Sequence, residues 1–247
     1  MKKIIVLGAT SGIAEAVERR LAAAGKELLL AGRSAERLAV LREDLLIRGA
    51  RSVVTFCADF ENARDHARLL EFAQQNFADF DTVFLSYGSL LDQEQCRHSP
   101  ELTARQLNTD FVSAACLLSL FADHFEARKR GCLAVITSVA GDRGRRSNYT
   151  YGAAKGGLDH FLQGLRARLH TSNVRVISIK PGPVDTMMTA GLPHDKPFAS
   201  PERVGEDIYR ALKKGGPDVV YTPHYWRYVM FCIRAMPEWM FKRQTKI

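Results

Sequence analysis

The sequence predicts an α/β fold, a doubly wound parallel sheet covered by helices on both faces, and three observations predict it. Short apolar, β-branched runs recur along the chain, longer segments of helical character separate them, and the first run leads into a glycine-bearing turn that opens a helix. Strands buried on both faces read as nearly continuous apolar runs, because both sides of the pleat pack against helices. Alternation of this kind joins the strands by right-handed crossovers, so they lie parallel.

Taken in order, the strands are expected at 3–7, 27–31, 52–57, 82–86, 133–137, 174–179 and 218–221. Helices are expected near 12–24, 34–48, 62–77, 101–127, 149–170 and 201–214, the last opening with Pro201 directly after Ser200. Proline at the first helical position after a capping serine is a strong start signal. No linker, repeat or low-complexity segment interrupts residues 1–222, which read as a single domain, followed by a tail at 223–247 of different character.

Composition narrows the classes. With 46% hydrophobic and 25% charged residues, the chain falls in the globular range. Five cysteines form an odd set without a CxxC pair, which argues against a disulfide scaffold or a zinc site and suits a reducing compartment. The apolar run after the basic start is too short for a secretion signal, and no run approaches the about 18 apolar residues of a membrane span. A cytoplasmic location is expected. The net charge of +8 comes with no nucleic-acid motif, so nucleic acid is not expected as a partner. The charge is uneven, clustering at Arg143, Arg145 and Arg146 and again in the last twenty residues.

After the first strand comes Gly8-Ala9-Thr10-Ser11-Gly12-Ile13-Ala14. Glycines at a strand-to-helix turn let a pyrophosphate approach the backbone, and the helix start offers it free N–H groups and a positive dipole end. The second strand ends in Arg33 with no acid at its tip. An arginine there accommodates a 2′-phosphate, which favours NADP(H) over NAD(H); the alternative is a solvated arginine opening a helix. Asp59, after the third strand, either accepts a hydrogen bond from the adenine amino group or caps the next helix.

Tyr151 and Lys155 are four residues apart at a helix start and share one face. A tyrosine phenol ionises near pH 10, and a neighbouring ammonium lowers that value, as a general acid/base requires. Tyr149, six residues from Lys155, faces elsewhere. Ser138 ends a strand at the carboxyl edge of the sheet, and Lys180-Pro181-Gly182-Pro183-Val184-Asp185-Thr186 follows the next strand at the same edge.

These residues, with Asn108 and Gly88, resemble the short-chain dehydrogenase/reductases, in their branch of about 250 residues, over positions 1 to about 221. The resemblance implies a Rossmann-type fold and an NAD(P)-dependent oxidoreductase. It implies that Ser138 hydrogen-bonds the substrate oxygen and that Tyr151 exchanges its proton. Lys155 would lower the tyrosine pKa and hold the nicotinamide ribose, and Asn108 would support a water-based proton relay. Cofactor contacts would come from Gly8, Thr10, Ser11, Gly12, Ile13, Arg33, Asp59, Ser86, Gly88, Pro181, Val184 and Thr186, with no metal. Two departures stand out: Ala14 replaces the third glycine, and Leu85-Ser86-Tyr87-Gly88 replaces Asn-Asn-Ala-Gly, which puts the hydrogen bonding of Ser86 in question. The family usually pairs subunits through the helices near 101–127 and 149–170, so a homodimer or homotetramer is expected.

The reaction implied is hydride transfer between a nicotinamide and a carbonyl. Three arginines between Ser138 and Tyr151 should rim the pocket and could grip a phosphate, or else form a solvated loop. The tail mixes Trp, Tyr, Phe and Met with Arg227, Arg234 and Lys242, and Pro237 should break it into two short helices. Such a tail suits either a peripheral contact with the inner face of a membrane or packing over the pocket or a subunit partner. The run from Ser138 to Tyr151, with this tail, is also similar to the keto-reductase half of decaprenylphosphoryl-ribose 2′-epimerase, whose substrate is a 2-keto-pentose on a polyprenyl phosphate. A 3-oxoacyl thioester or other lipophilic ketone is a second reading, and a non-catalytic dinucleotide-sensing protein a third.

Overall fold

The structure, a computed structural model, describes residues 1–191, 198–213 and 216–244. Seven strands form one sheet: β1 (Lys3–Leu7), β2 (Glu27–Gly32), β3 (Ser52–Cys57), β4 (Thr82–Leu85), β5 (Gly131–Ile136), β6 (Val174–Pro181) and β7 (Val219–Thr222). They lie in the order β3-β2-β1-β4-β5-β6-β7, every neighbouring pair parallel. The chain reverses its winding between β1 and β4, and the crevice for a ligand opens there, beyond the carboxyl ends of the strands.

Alternate residues of each strand face opposite layers. Ile5, Leu7, Leu29 and Ala31 join the core under α3 (Ala63–Asn76), α6 (Ser113–Arg128) and α7 (Tyr149–Leu169). Ile4, Val6, Leu28 and Leu30 join the other, under α1 (Gly12–Ala23), α2 (Ala35–Ile47) and α8 (Pro201–Leu212). Burial on both faces is why these strands carry apolar residues at consecutive positions.

Three differences from the sequence expectation matter. The long helix expected at 101–127 is α5 (Pro100–Leu107), a π-helical turn (Asn108–Val112) and α6. A short helix, α4 (Gln93–His98), precedes it, capped by Asp92 and too brief to show a periodic stripe. β5 starts earlier than expected and ends at Ile136, with the Thr137 amide donating to the Ile179 carbonyl at 2.8 Å. Helix α8 ends at Leu212, and position 214 of the expected helix lies outside the described residues. The tail forms α9 (Trp226–Ala235) and α10 (Glu238–Phe241), broken around Pro237 as expected, and its positions 245–247 lie outside the described residues.

One buried group conflicts with its surroundings. Glu18 on α1 is fully buried, and neither carboxyl oxygen has a hydrogen-bond partner among the described residues. Burial pushes its pKa well above the usual carboxyl range, Glu15 adds to the effect and Arg19 opposes it. The folded state therefore holds a proton that the unfolded chain releases above its ordinary pKa, so stability falls as pH rises from that value through the folded one. Glu18→Met removes an unsatisfied polar group worth about 1–3 kcal/mol. It should raise the Tm by roughly 2–4 °C per kcal/mol. The gain should be larger at pH 8 than at pH 5 in thermal melts; an equal gain at both would mean that Glu18 carries no shifted proton.

Candidate active site

A cavity of about 710 Å³ runs along the carboxyl edge of the sheet, within the usual size range for a ligand site. Its wall includes Gly8, Thr10, Ser11, Gly12, Ile13, Arg33, Ser86, Gly88, Ser138, Tyr151, Lys155, Pro181, Val184 and Thr186. All are residues singled out from the sequence. Asn108 and Asp59 do not line it. Asn108 opens the π-helical turn, where its carbonyl accepts from the Ser113 amide. Asp59 borders a smaller adjoining space of about 120 Å³ together with Arg33. The capping alternative for Asp59 is corrected: Asn62 caps α3, and the Asp59 carboxylate accepts from the Glu61 amide at 3.1 Å.

The first turn is shaped for close approach. Gly8 has φ +82°, and a Cβ there would collide with Tyr87. Ser11 caps α1 by accepting from the Ala14 amide, while among the described residues the Gly12 and Ile13 amides find no acceptor. Unsatisfied amides at a helix start lining a cavity fit the pyrophosphate of a dinucleotide. Ser86 answers the question raised by its departure from asparagine: its hydroxyl lies 2.8 Å from that of Ser11, and its amide donates to the Leu7 carbonyl. It ties the exit of β4 to the glycine turn.

At the far end of the same wall, Arg33 is exposed and forms no ion pair among the described residues. One helical turn later, Arg37 also lines the cavity, donating to the Thr10 carbonyl at 3.0 Å. The sequence reading missed Arg37, although its spacing from Arg33 on α2 was a usable signal. Two guanidiniums beside the Thr10 and Ser34 hydroxyls suit a 2′-phosphate.

At the β5 end, the Ser138 loop lies directly on α7, with Gly141 and Gly156 in backbone contact. This brings Ser138 to Tyr151 and Lys155. Lys155 is buried and lies 3.1 Å from the fully buried carboxylate of Asp110, which the sequence reading did not single out. The π-helical turn carries Asp110 inward, where Gln106 and both the amide and hydroxyl of Ser89 donate to it. Gly88 makes the space, since a Cβ there would overlap Asp110 and come within 3.1 Å of the Lys155 ammonium. Tyr149 is exposed and lies outside the cavity wall.

The expectation that Lys155 lowers the Tyr151 pKa is half of the balance. Burial raises it most, Lys155 and the Ser138 hydroxyl lower it, Asp110 raises it, and the phenol ends above its usual value. For Lys155, burial favours the neutral amine, but Asp110 and Tyr151 outweigh it and hold the ammonium above its ordinary pKa.

Beneath Ser138 lies a second buried group. Lys180 on β6 bridges Asp142, in the Ser138 loop, and Asp159 on α7, and the Tyr221 hydroxyl donates to Asp142 at 2.7 Å. The three arginines then part company. Arg143 donates to the Ile233 and Met236 carbonyls and to Glu238, and lies 3.8 Å from the centre of the Phe241 ring. It fastens the tail and grips no phosphate, a correction to the expected trio. Arg146 is exposed and outside the cavity wall, a second correction. Arg145 alone lines the cavity, half-buried, with one guanidinium nitrogen at the Met230 thioether. Trp226 fills the space beside Gly182, so the inner face of α9 packs at the substrate end while Tyr228 and Phe231 point outward.

Residues 2–197 match the short chain dehydrogenase family. An uncharacterized oxidoreductase of Mycobacterium tuberculosis is 34% identical over 243 residues, covering 98% of this chain and 97% of its own. Another, from Streptomyces coelicolor, is 33% identical over 247 residues, covering 98% and 95%. In fold, the chain is similar to a short-chain dehydrogenase of Burkholderia cenocepacia in complex with NADP, with a TM-score of 0.83, 22% identity and all of both chains covered. It is also similar to one of Sphingobium yanoikuyae in complex with NADPH, with a TM-score of 0.84, 20% identity and 100% and 97% covered. The chain belongs to the short-chain dehydrogenase family and is an NAD(P)-dependent oxidoreductase of that type.

Proposed function

We propose that the protein reduces a lipophilic or lipid-linked ketone with NADPH, the candidate being a 2-keto-sugar carried on a polyprenyl phosphate. One observation carries the reading. Ser138, Tyr151 and Lys155 meet in a cavity with two arginines, Arg33 and Arg37, at its cofactor end, and Met187, Met188 and Arg145 also line it, Arg145 resting on the buried Met230 of α9.

A dinucleotide held by the Gly12 and Ile13 amides would supply the hydride for the carbonyl carbon. Ser138 and Tyr151 hold the carbonyl oxygen by hydrogen bonds, and the Tyr151 phenol gives that oxygen its proton, so that the product is an alcohol. The phenolate left behind faces the Lys155 ammonium, which steadies it until a proton returns from water. Because the Tyr151 pKa lies above its usual value, the phenol is protonated at neutral pH, the form that reduction requires. Arg33 and Arg37 would hold the 2′-phosphate that distinguishes NADPH from NADH.

The tail supports the lipid part of the reading. Its outer face exposes Tyr228, Phe231, Trp239 and Met240 together with Arg227, Arg234, Lys242 and Arg243. Aromatic and basic residues on one face suit a helix lying in a bilayer interface. No helix among the described residues is long and apolar enough to cross a membrane. A cytoplasmic protein resting peripherally on the inner membrane face, paired with a second copy, fits these features.

Three outcomes are expected. Tyr151→Phe should lower carbonyl turnover by about 10²–10⁴-fold while NADPH binding, followed by nucleotide fluorescence, stays intact. Tyr149→Phe should change little, and the reverse pattern would sink the assignment. For Arg33→Asp, the ratio of kcat/KM for NADPH over NADH should fall at least about tenfold, since a charge-assisted contact is lost; an unchanged ratio would remove Arg33 from phosphate recognition. Finally, Tyr228, Phe231 and Trp239 replaced together by serine should release the protein from anionic liposomes in co-sedimentation. Basic side chains near such a surface each add about 1 kcal/mol of salt-sensitive binding. An intact protein that ignores liposomes at low salt would leave the tail without a membrane role.

A further inference from the structure

Arg145 is a cation without a counter-ion. Among the described residues no carboxylate lies within ion-pair distance of it, its Nε is buried without a hydrogen-bond partner, and its one polar contact is the Met230 thioether at 3.2 Å. The acid that acts on it among the described residues, Asp142, is already committed to Lys180 and Tyr221. Burial pushes the guanidinium below its ordinary pKa, with Asp142 opposing. A desolvated guanidinium is stable only beside an acceptor, and its planar fork matches the oxygens of phosphate or carboxylate.

Its place argues against a purely internal duty and against the cofactor. The latch between this loop and the tail is Arg143, which spends its donors on two carbonyls and a carboxylate. The cofactor's 2′-phosphate end lies at β2, three strands away from the β5 loop that carries Arg145. The same wall holds Asn148, whose side-chain oxygen is also buried and without a partner among the described residues, together with Ser138 and Tyr151. Two orphaned polar groups of different chains of chemistry, one cationic and one neutral, thus flank the reacting end of the cavity.

We propose that Arg145 binds an oxyanion, phosphate or carboxylate, on the molecule whose carbonyl meets Ser138 and Tyr151, with Asn148 taking a neighbouring hydroxyl. The proposal rests on the reading of that end as the substrate end. It makes the substrate an anionic carbonyl compound and assigns to one arginine the task that sequence spacing had spread over three.

The test is a binding measurement, so that it does not depend on turnover. Calorimetry on the full chain saturated with NADP⁺ would compare farnesyl phosphate with farnesol, and farnesoic acid with its methyl ester. At least one anion should bind tenfold or more tightly than its neutral partner. Arg145→Met should abolish that preference, Arg145→Lys should retain part of it, and Arg146→Met should leave it unchanged. Inorganic phosphate is the remaining arm: competition at similar concentrations means that the headgroup alone is held, and its failure to compete with farnesyl phosphate means a lipid-carried group. Equal binding of anions and neutral partners to the unaltered protein overturns the proposal, as does a preference that survives in a folded Arg145→Met protein. Loss of the reductase reading would instead show as turnover indifferent to Tyr151→Phe, a separate result.

Discussion

The buried pair of Lys155 and Asp110 is the interaction on which the rest of the site depends. Removing two charges from water costs several kcal/mol per ion, and their attraction repays it only when the remaining valences are filled. Here they are filled: Gln106 and Ser89 donate to Asp110, and the whole group occupies the volume left by the missing side chain of Gly88. The π-helical turn is part of the same arrangement. An extra residue in the turn widens the helix and brings Asp110 to the sheet edge. The pair also sets the proton chemistry, because the carboxylate keeps Lys155 charged yet cancels part of what that charge does to Tyr151. Burial, the largest influence on Tyr151, then keeps the phenol pKa above its usual value.

The parallel sheet supplies the second ordering principle. Every strand ends at the same edge, so the exits of β1, β2, β4, β5 and β6 contribute successive stretches of one wall. Position along the edge then separates groups: guanidiniums after β2, backbone amides after β1, and Ser138 after β5, against Tyr151 on α7. Lys180 stitches the β6 exit to the Ser138 loop and to α7, and Tyr221 extends the tie to β7. The two carboxylates around Lys180, Asp142 and Asp159, leave a net negative charge there that the single ammonium neutralises only in part.

Much of this was legible in the sequence because it is local. Strands buried on both faces announce themselves by composition, a glycine turn by its residues, and the Tyr151–Lys155 pair by helical spacing. What was not legible depends on pairings between distant segments. Asp110 reads as an ordinary polar helix residue until a π-helical turn rotates it toward a lysine on another helix. The three arginines look equivalent in a row, and only the docking of residues some ninety positions later gives Arg143 to the tail and leaves Arg145 in the cavity. Trp226 looked like a membrane residue on composition, yet its place on α9 turns it toward Gly182. Helix α4 escaped notice because one and a half turns carry too few residues to display a period.

The fastening of the tail by Arg143 has a consequence for how the molecule is made. The carbonyls it holds, at Ile233 and Met236, lie downstream of all seven strands. Every residue that lines the dinucleotide crevice, from Gly8 to Thr189, precedes the tail in the chain, so sheet and crevice can form without it. The tail thus docks onto a β5 loop that the sheet has already set in place.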